Sequence, residues 1–119
     1  MKIRTLFALV MVLALLTACG GGAATTGGQT TGKPLRIAVV MPSATTDLAF
    51  SQSMWDALKK IQAEMGGESA VQLKYSENMF KVADAAAALR DYASQGFDIV
   101  IGHGSQYGAS IQEIAPDFP

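Results

Sequence analysis

Strand-like and helix-like patterns alternate three times after residue 34, and this alternation limits the possible folds more than any other feature. The strand-like runs lie at 35–41, 71–75 and 98–102, and the helix-like patterns, in which apolar residues recur every three or four positions, lie at 50–65, 82–93 and 107–114. The order βαβαβα is typical of parallel strands joined by right-handed helical crossovers. We therefore predict an α/β fold with a doubly wound parallel sheet.

The three strand-like runs differ in their patterning, and the difference predicts their order in the sheet. Residues 35–41 and 98–102 are mostly apolar, as expected of internal strands, whereas 71–75 alternate and favour an edge strand with one exposed face. The predicted order therefore begins 2-1-3, and the direction of winding reverses between strands 1 and 3. Because ligands of open α/β sheets bind beyond the carboxyl ends of the strands at this reversal, the loops 42–47 and 102–107 are candidate binding loops.

The first 34 residues are predicted to lie outside the folded part. Residues 1–18 join two positive charges to an apolar run shorter than the roughly 20 residues of a membrane-spanning helix, which is typical of a signal peptide. The segment 16–19 reads LTAC and resembles the bacterial lipobox, so Cys19 is predicted to carry lipid; the alternative is an accidental cysteine after an ordinary signal. Residues 19–34, rich in Gly and Thr, are predicted to form a flexible tether.

Composition and chain length limit the possible partners of the protein and the part of the chain that can fold. The formal net charge of the chain is -1, and no basic stripe is offered to nucleic acid, so nucleic acid is not an expected partner. Cys19 is the single cysteine, which leaves no disulfide within the chain. Residues 35–119 are the part expected to fold. Since they stop just after a helix-like pattern, we expect them to be the N-terminal part of a longer binding lobe.

The first candidate loop and the helix after it contain two aromatic residues and several polar ones. Phe50 follows the apolar stripe of the helix, which favours packing in the core, whereas Trp55 has polar neighbours at helical spacing. Two interpretations of Trp55 stay open, packing against another part of the protein or stacking on a flat ligand. Asp47 is expected either to cap the helix or to accept hydrogen bonds from a ligand. Ser43 and Thr46 are turn formers that are also candidate ligand contacts.

The second candidate loop is rich in glycine and follows a predicted buried strand. Gly104, Ser105 and Gln106 expose backbone amides that could hold a polar ligand atom. His103 is the single histidine of the chain, so no metal site is predicted. Neither a nucleotide-phosphate motif nor a nucleophile elbow is present, so we predict a binding protein and not an enzyme.

Taken in order, these segments resemble the basic membrane protein (BMP, PnrA-like) family of substrate-binding lipoproteins, which includes nucleoside receptors of ABC importers. The stretches that carry the resemblance after the lipobox and tether are LRIAVVMP, TDLAFSQSMWDALKK, YSEN, RDYASQGFDIVIGHGSQYG and IQEIAPDFP. The resemblance implies a fold like that of type I periplasmic binding proteins, with two hinged lobes that trap the ligand between them. This chain would supply the opening βαβαβα part of the first lobe.

The resemblance also implies roles for individual residues. Trp55 matches the aromatic that stacks on the base, and Asp47 matches the second of two polar positions before it. Thr46 stands where an acid is common, the Phe-Asn pair of the family is Phe50-Ser51 here, and residues 104–106 match the second binding loop only loosely.

The implied function is that of a solute-binding lipoprotein on the extracytoplasmic face of the cell membrane. It would capture a small polar ligand, for which a nucleoside is the first candidate, and deliver it to an ABC permease. No metal or cofactor is implied. One alternative is a ligand-sensing lipoprotein that signals to a membrane partner; a more distant one is a surface hydrolase of nucleosides.

Overall fold

A computed structural model describes residues 32–119 of the chain. The three strands are β1 (Leu35–Val40), β2 (Val71–Ser76) and β3 (Ile99–Gly102), and the three helices are α1 (Phe50–Glu64), α2 (Val82–Ser94) and α3 (Gly108–Ile114). Short 3-10 turns at Gly67–Ser69, Ser105–Tyr107 and Ala115–Asp117 flank the helices. The predicted signal peptide, Cys19 and nearly all of the predicted tether lie outside the described residues.

The strands form one parallel sheet in the order β2-β1-β3, which confirms the predicted α/β fold and the predicted start of the strand order. Leu35 of β1 pairs with Val71 of β2, and Val40 pairs with both Ser76 of β2 and Gly102 of β3. The ends of β2 and β3 are therefore level with the end of β1. All three strands direct the loops that follow them to one edge of the sheet.

Two apolar clusters lie on opposite faces of the sheet, as expected of a doubly wound fold. On one face, α1 packs against the odd-numbered residues of β1. On the other face, α2 and the segment 105–117 cover Val40. The buried members are Ile37, Val39, Met41, Leu58 and Val71 in the first cluster, and Val40, Ala85, Leu89, Tyr107 and Ile114 in the second.

Glycine accounts for the end of α2. Gly96 has a φ of +69°, a left-handed conformation that costs glycine little, and its amide donates to the carbonyl of Ala93. The amide of Phe97 donates to the carbonyl of Tyr92, so two terminal carbonyls of the helix have partners. The left-handed conformation of Gly96 thus ends α2 directly after its C-cap residue, Gln95.

The prediction that α1 faces the core along its whole apolar stripe is wrong at both ends of the helix. Leu58 in the middle is 5% exposed, whereas Phe50 is 51% and Ile61 is 42% exposed. In the first turn of α1, the ring of Phe50 stacks on His103 in the loop after β3. In the last turn, the side-chain amide of Gln62 donates to the carbonyl of Val71 at the start of β2. Phe50 lies over the loops and not over the core.

Within residues 32–119, β3 is the second edge strand of the sheet. Ile99 is accordingly 43% exposed. Across the same residues, no helix combines the length and the apolar character needed to cross a bilayer.

Candidate functional site

The loop after β1 is organised around the carboxylate of Asp47. Its Oδ1 accepts hydrogen bonds from the amides of Ala49 (2.9 Å) and Gln52 (3.1 Å). Its Oδ2 accepts from the Ser43 hydroxyl (2.5 Å) and from the amide of Ser51 (3.1 Å). The Ser43 hydroxyl and these amides hold the pKa of Asp47 well below the usual value for a carboxyl group. The expected capping interaction is therefore present, since an ionised carboxylate binds the free amides at the start of α1.

Ser43 and Ser51 connect this carboxylate to the interior. Ser51 is fully buried, and its Oγ lies 2.7 Å from the Oγ of Ser43. Since the single hydroxyl proton of Ser43 is donated to Asp47, the hydroxyl of Ser51 donates to Ser43. The Ser51 Oγ in turn accepts from the backbone amide of Ser43 at 3.3 Å. Ser43, a predicted ligand contact, is thus engaged within the loop.

The loop after β2 supports the first loop from the side. Glu77 accepts two hydrogen bonds through one oxygen, from the amide (2.6 Å) and the hydroxyl (2.9 Å) of Thr45. These bonds, the amide bond foremost, lower the pKa of Glu77 below its usual value. The amide of Asn78 also donates to the carbonyl of Ser43. Sequence reasoning assigned no role to Glu77, since nothing in the sequence alone pairs it with Thr45, 32 residues earlier.

The loop after β3 is held against the end of β1. The amide of His103 donates to the carbonyl of Val40 at 2.9 Å, and the amide of Tyr107 donates to the carbonyl of Gly104 at 3.1 Å. A Cβ atom on residue 104 would lie 2.8 Å from Oε1 of Gln106 and 3.0 Å from Cε2 of the buried Tyr107, so a side chain here would displace the end of Gln106 and crowd the ring of Tyr107. Ser105 is exposed and Gln106 is partly buried.

The loops after β1 and β3 meet at Phe50 and His103. Their rings are stacked, with centroids 3.9 Å apart and planes inclined by 17°. The Nε2 atom of His103 lies 3.1 Å from the carbonyl oxygen of Phe50 and donates to it, because a carbonyl can only accept. Phe50 is therefore an exposed aromatic at the junction of the two predicted loops. The sequence did not reveal this position, because Phe50 has apolar neighbours at helical spacing, as a core residue would. Only its place directly after the first candidate loop indicated that it lies near the site.

Trp55 lies on another side of α1. Its ring is partly buried and tilted at 49° to the ring of Tyr75, with centroids 4.6 Å apart. It also packs against the apolar cluster beneath α1. Tyr75 is on the edge strand β2, so Trp55 lies over that edge of the sheet.

Among the predicted site residues, the structure brings Ser43 and Asp47 into direct contact.

Two further observations describe the chemistry of the site. Thr46 is exposed in the first loop. Within residues 32–119, no three His, Cys, Asp or Glu side chains are grouped closely enough to hold a metal ion. The loops after β1 and β3 contain hydroxyls, backbone amides, the Asp47 carboxylate and the aromatic ring of Phe50.

Helices on both faces of a parallel sheet, with polar loops at the reversal between β1 and β3, define the class of α/β ligand-binding lobes. Comparison with known proteins narrows this class to one family. The family model described as "ABC transporter substrate-binding protein PnrA-like" (Bmp) matches residues 35–119. The chain belongs to this family, as the resemblance of its segments predicted.

The proteins similar to the chain include one solved structure and one protein from Bacillus subtilis. A solved ABC transporter solute-binding protein from Conexibacter woesei DSM 14684 has a TM-score of 0.64 and 25% identity, over 71% of this chain and 27% of that one. The transcriptional activator protein Med of Bacillus subtilis strain 168 is 27% identical over 119 residues, which cover 98% of this chain and 34% of that protein. The chain thus spans about a third or less of the length of either relative.

Proposed function

We propose that the chain forms the opening part of the first lobe of a solute receptor that delivers its ligand to an ABC importer. The ligand is a small polar molecule with a flat ring, and a nucleoside fits this description best. The observation that carries the proposal is the half-exposed ring of Phe50 at the junction of the loops after β1 and β3. Membership of a substrate-binding protein family supports the same assignment.

The ring of the ligand is proposed to stack on Phe50. An aromatic residue that stays half exposed beside polar loops offers a flat apolar surface for another ring, and such stacking adds about 0.5–1.5 kcal/mol beyond burial. No contact in the structure tests whether Trp55 provides the stacking surface, so this role of Trp55 stays a prediction. Its ring is partly buried against Tyr75, which favours packing as its main role.

The polar edges of the ligand are proposed to meet both loops. Asp47 already accepts four hydrogen bonds, about as many as the lone pairs of a carboxylate allow, so it acts on the ligand by fixing the loop. Thr46 and Ser105 are exposed, and we propose that they contact the ligand directly, together with the backbone amides of residues 104–106 around Ser105. Ser43 would contribute through Asp47, to which its hydroxyl donates.

The rest of the proposal concerns location and partners. Lipid on Cys19 would hold the receptor at the extracytoplasmic face of the membrane, and residues 19–34 would link the anchor to the folded lobe. A second lobe would close over the ligand, so that a ligand bridging both lobes favours the closed state. The permease would then receive the ligand from the closed receptor. The receptor is proposed to release its ligand chemically unchanged.

A ligand-sensing role is the second candidate. One similar protein is named as a transcriptional activator, and its similarity covers 98% of this chain. The same binding site would then report ligand occupancy to a signalling partner. Labelled ligand supplied to cells with and without the gene separates the two functions, because only the importer role predicts loss of uptake.

Binding is tested by thermal-shift titration of the full-length protein with adenosine, inosine, uridine, the free bases and D-ribose. A bound ligand at 100 times its dissociation constant adds about 2.7 kcal/mol of stability. We expect a concentration-dependent rise in melting temperature with at least one nucleoside and a much smaller rise with ribose. A rise with ribose alone, or with none of the compounds, would overturn the nucleoside proposal.

A further inference from the structure

We propose that His103 is a specificity-determining residue of this site, which holds the ring of Phe50 in position to receive the flat ring of a ligand on its opposite face. The inference rests on the proposed function, since it concerns how the same ligand is recognised. It assigns His103 a positioning role and no chemical step.

The geometry of the contact defines which face of Phe50 is available. The two rings are nearly parallel at 3.9 Å, so His103 covers one face of the phenyl ring at van der Waals distance. Phe50 nevertheless stays 51% exposed. Since His103 occupies one face of the ring, the opposite face is the one that we propose for the ligand. A flat ligand on that face would complete a stack of three rings, with Phe50 in the middle.

His103 is itself held firmly enough to act as a support. It directly follows β3, and its backbone amide donates to the carbonyl of Val40 at the end of β1, at 2.9 Å. Its Nε2–H donates to the carbonyl of Phe50, at 3.1 Å. One side chain thus contacts both the ring and the backbone of Phe50, while its own backbone is attached to the central strand.

This support should raise affinity by preorganisation. A free aromatic side chain loses rotational freedom when a ligand stacks on it, and this loss reduces affinity. His103 restricts Phe50 before the ligand arrives, so less freedom is lost on binding. Removing the imidazole ring should weaken binding of ring-containing ligands by roughly 3- to 10-fold. Binding of a sugar without an aromatic ring should not change.

Three substitutions in the full-length protein separate the ring from the hydrogen bond. His103→Phe keeps a stacked ring and removes the donor, His103→Gln keeps an amide donor and removes the ring, and His103→Ala removes both. We expect calorimetric titration with adenosine, inosine and uridine to show near wild-type affinity for His103→Phe and the roughly 3- to 10-fold loss for the other two. The affinity for D-ribose and the melting temperature of the His103→Gln variant should stay at wild-type values.

A second measurement tests the stack without any ligand. In the NMR spectrum, the ring protons of His103, identified by their absence in His103→Gln, should lie upfield and should move downfield in Phe50→Ala. Unchanged shifts would overturn the stacked arrangement. If a nucleoside binds in a Phe50-dependent way but equally well to His103→Gln, the role of His103 is wrong while the proposed function stands. If no nucleoside binds the wild type, the proposed function fails, and with it the specificity role, whatever the spectrum shows.

Discussion

Replacing Tyr107 with alanine is expected to lower the free energy of unfolding by about 3–5 kcal/mol, the usual cost of removing a buried aromatic ring. Tyr107 lies at the end of the loop after β3 and is fully buried in the apolar cluster that includes Ala85 and Leu89 of α2. Its hydroxyl donates to the carbonyl of Met79 at 2.7 Å, and burial raises the pKa of the hydroxyl above its usual value. The substitution would therefore leave both a cavity and an unpaired carbonyl. Urea denaturation of the ligand-free, full-length protein measures the loss.

Tyr107→Phe is the matched control for this prediction. It keeps the ring in the cluster and removes only the hydrogen bond to Met79, so the expected cost is about 0.5–1.5 kcal/mol. Equal losses for the two variants would show that the hydrogen bond, and not the packing of the ring, holds the loop. A loss below about 1 kcal/mol for Tyr107→Ala would contradict the buried position itself.

Replacing Phe50 with alanine is expected to weaken nucleoside binding by roughly 10- to 100-fold, since both the stacking and the apolar contact of a ring are removed. The effect on folding should be small because Phe50 is 51% exposed and its ring stacks on His103 in the loop after β3. Calorimetric titration of the full-length protein with the nucleoside that gives the largest thermal shift measures the change.

Trp55→Ala is the matched comparison because Trp55 is on the same helix and is also aromatic. Its ring packs on Tyr75 and on the cluster beneath α1, so we expect a lower melting temperature with an affinity within about threefold of the wild type. The opposite pattern, with affinity lost in Trp55→Ala and kept in Phe50→Ala, would move the stacking surface to Trp55. It would also restore the role that the family resemblance assigned to that residue.

The fold could be predicted well from the sequence because its signals are local. Apolar runs and helical spacing define the six elements, and the alternation in 71–75 identified the edge strand. The errors concern the two ends of α1, where exposure depends on which other elements lie beside each turn. Periodicity records which side of a helix is apolar, but it does not record whether a strand lies beneath each turn.

The candidate site could be predicted only in part, for a related reason. Asp47 was placed correctly at the start of α1, because a capping carboxylate acts on amides within a few residues of itself. The hydrogen bonds that Thr45 donates to Glu77 and His103 donates to Phe50 join residues 32 and 53 positions apart, and no sequence pattern reports such contacts. Phe50 was assigned to the core because exposed and buried aromatics share the same spacing along a helix.

A crystal structure of the full-length protein with the best-bound nucleoside would show directly where the base stacks. We predict that the base lies about 3.5–4.0 Å from the face of Phe50 opposite His103, with its polar edge toward the loops after β1 and β3. A base stacked instead on Trp55 at the edge of β2, or bound away from both loops, would contradict it.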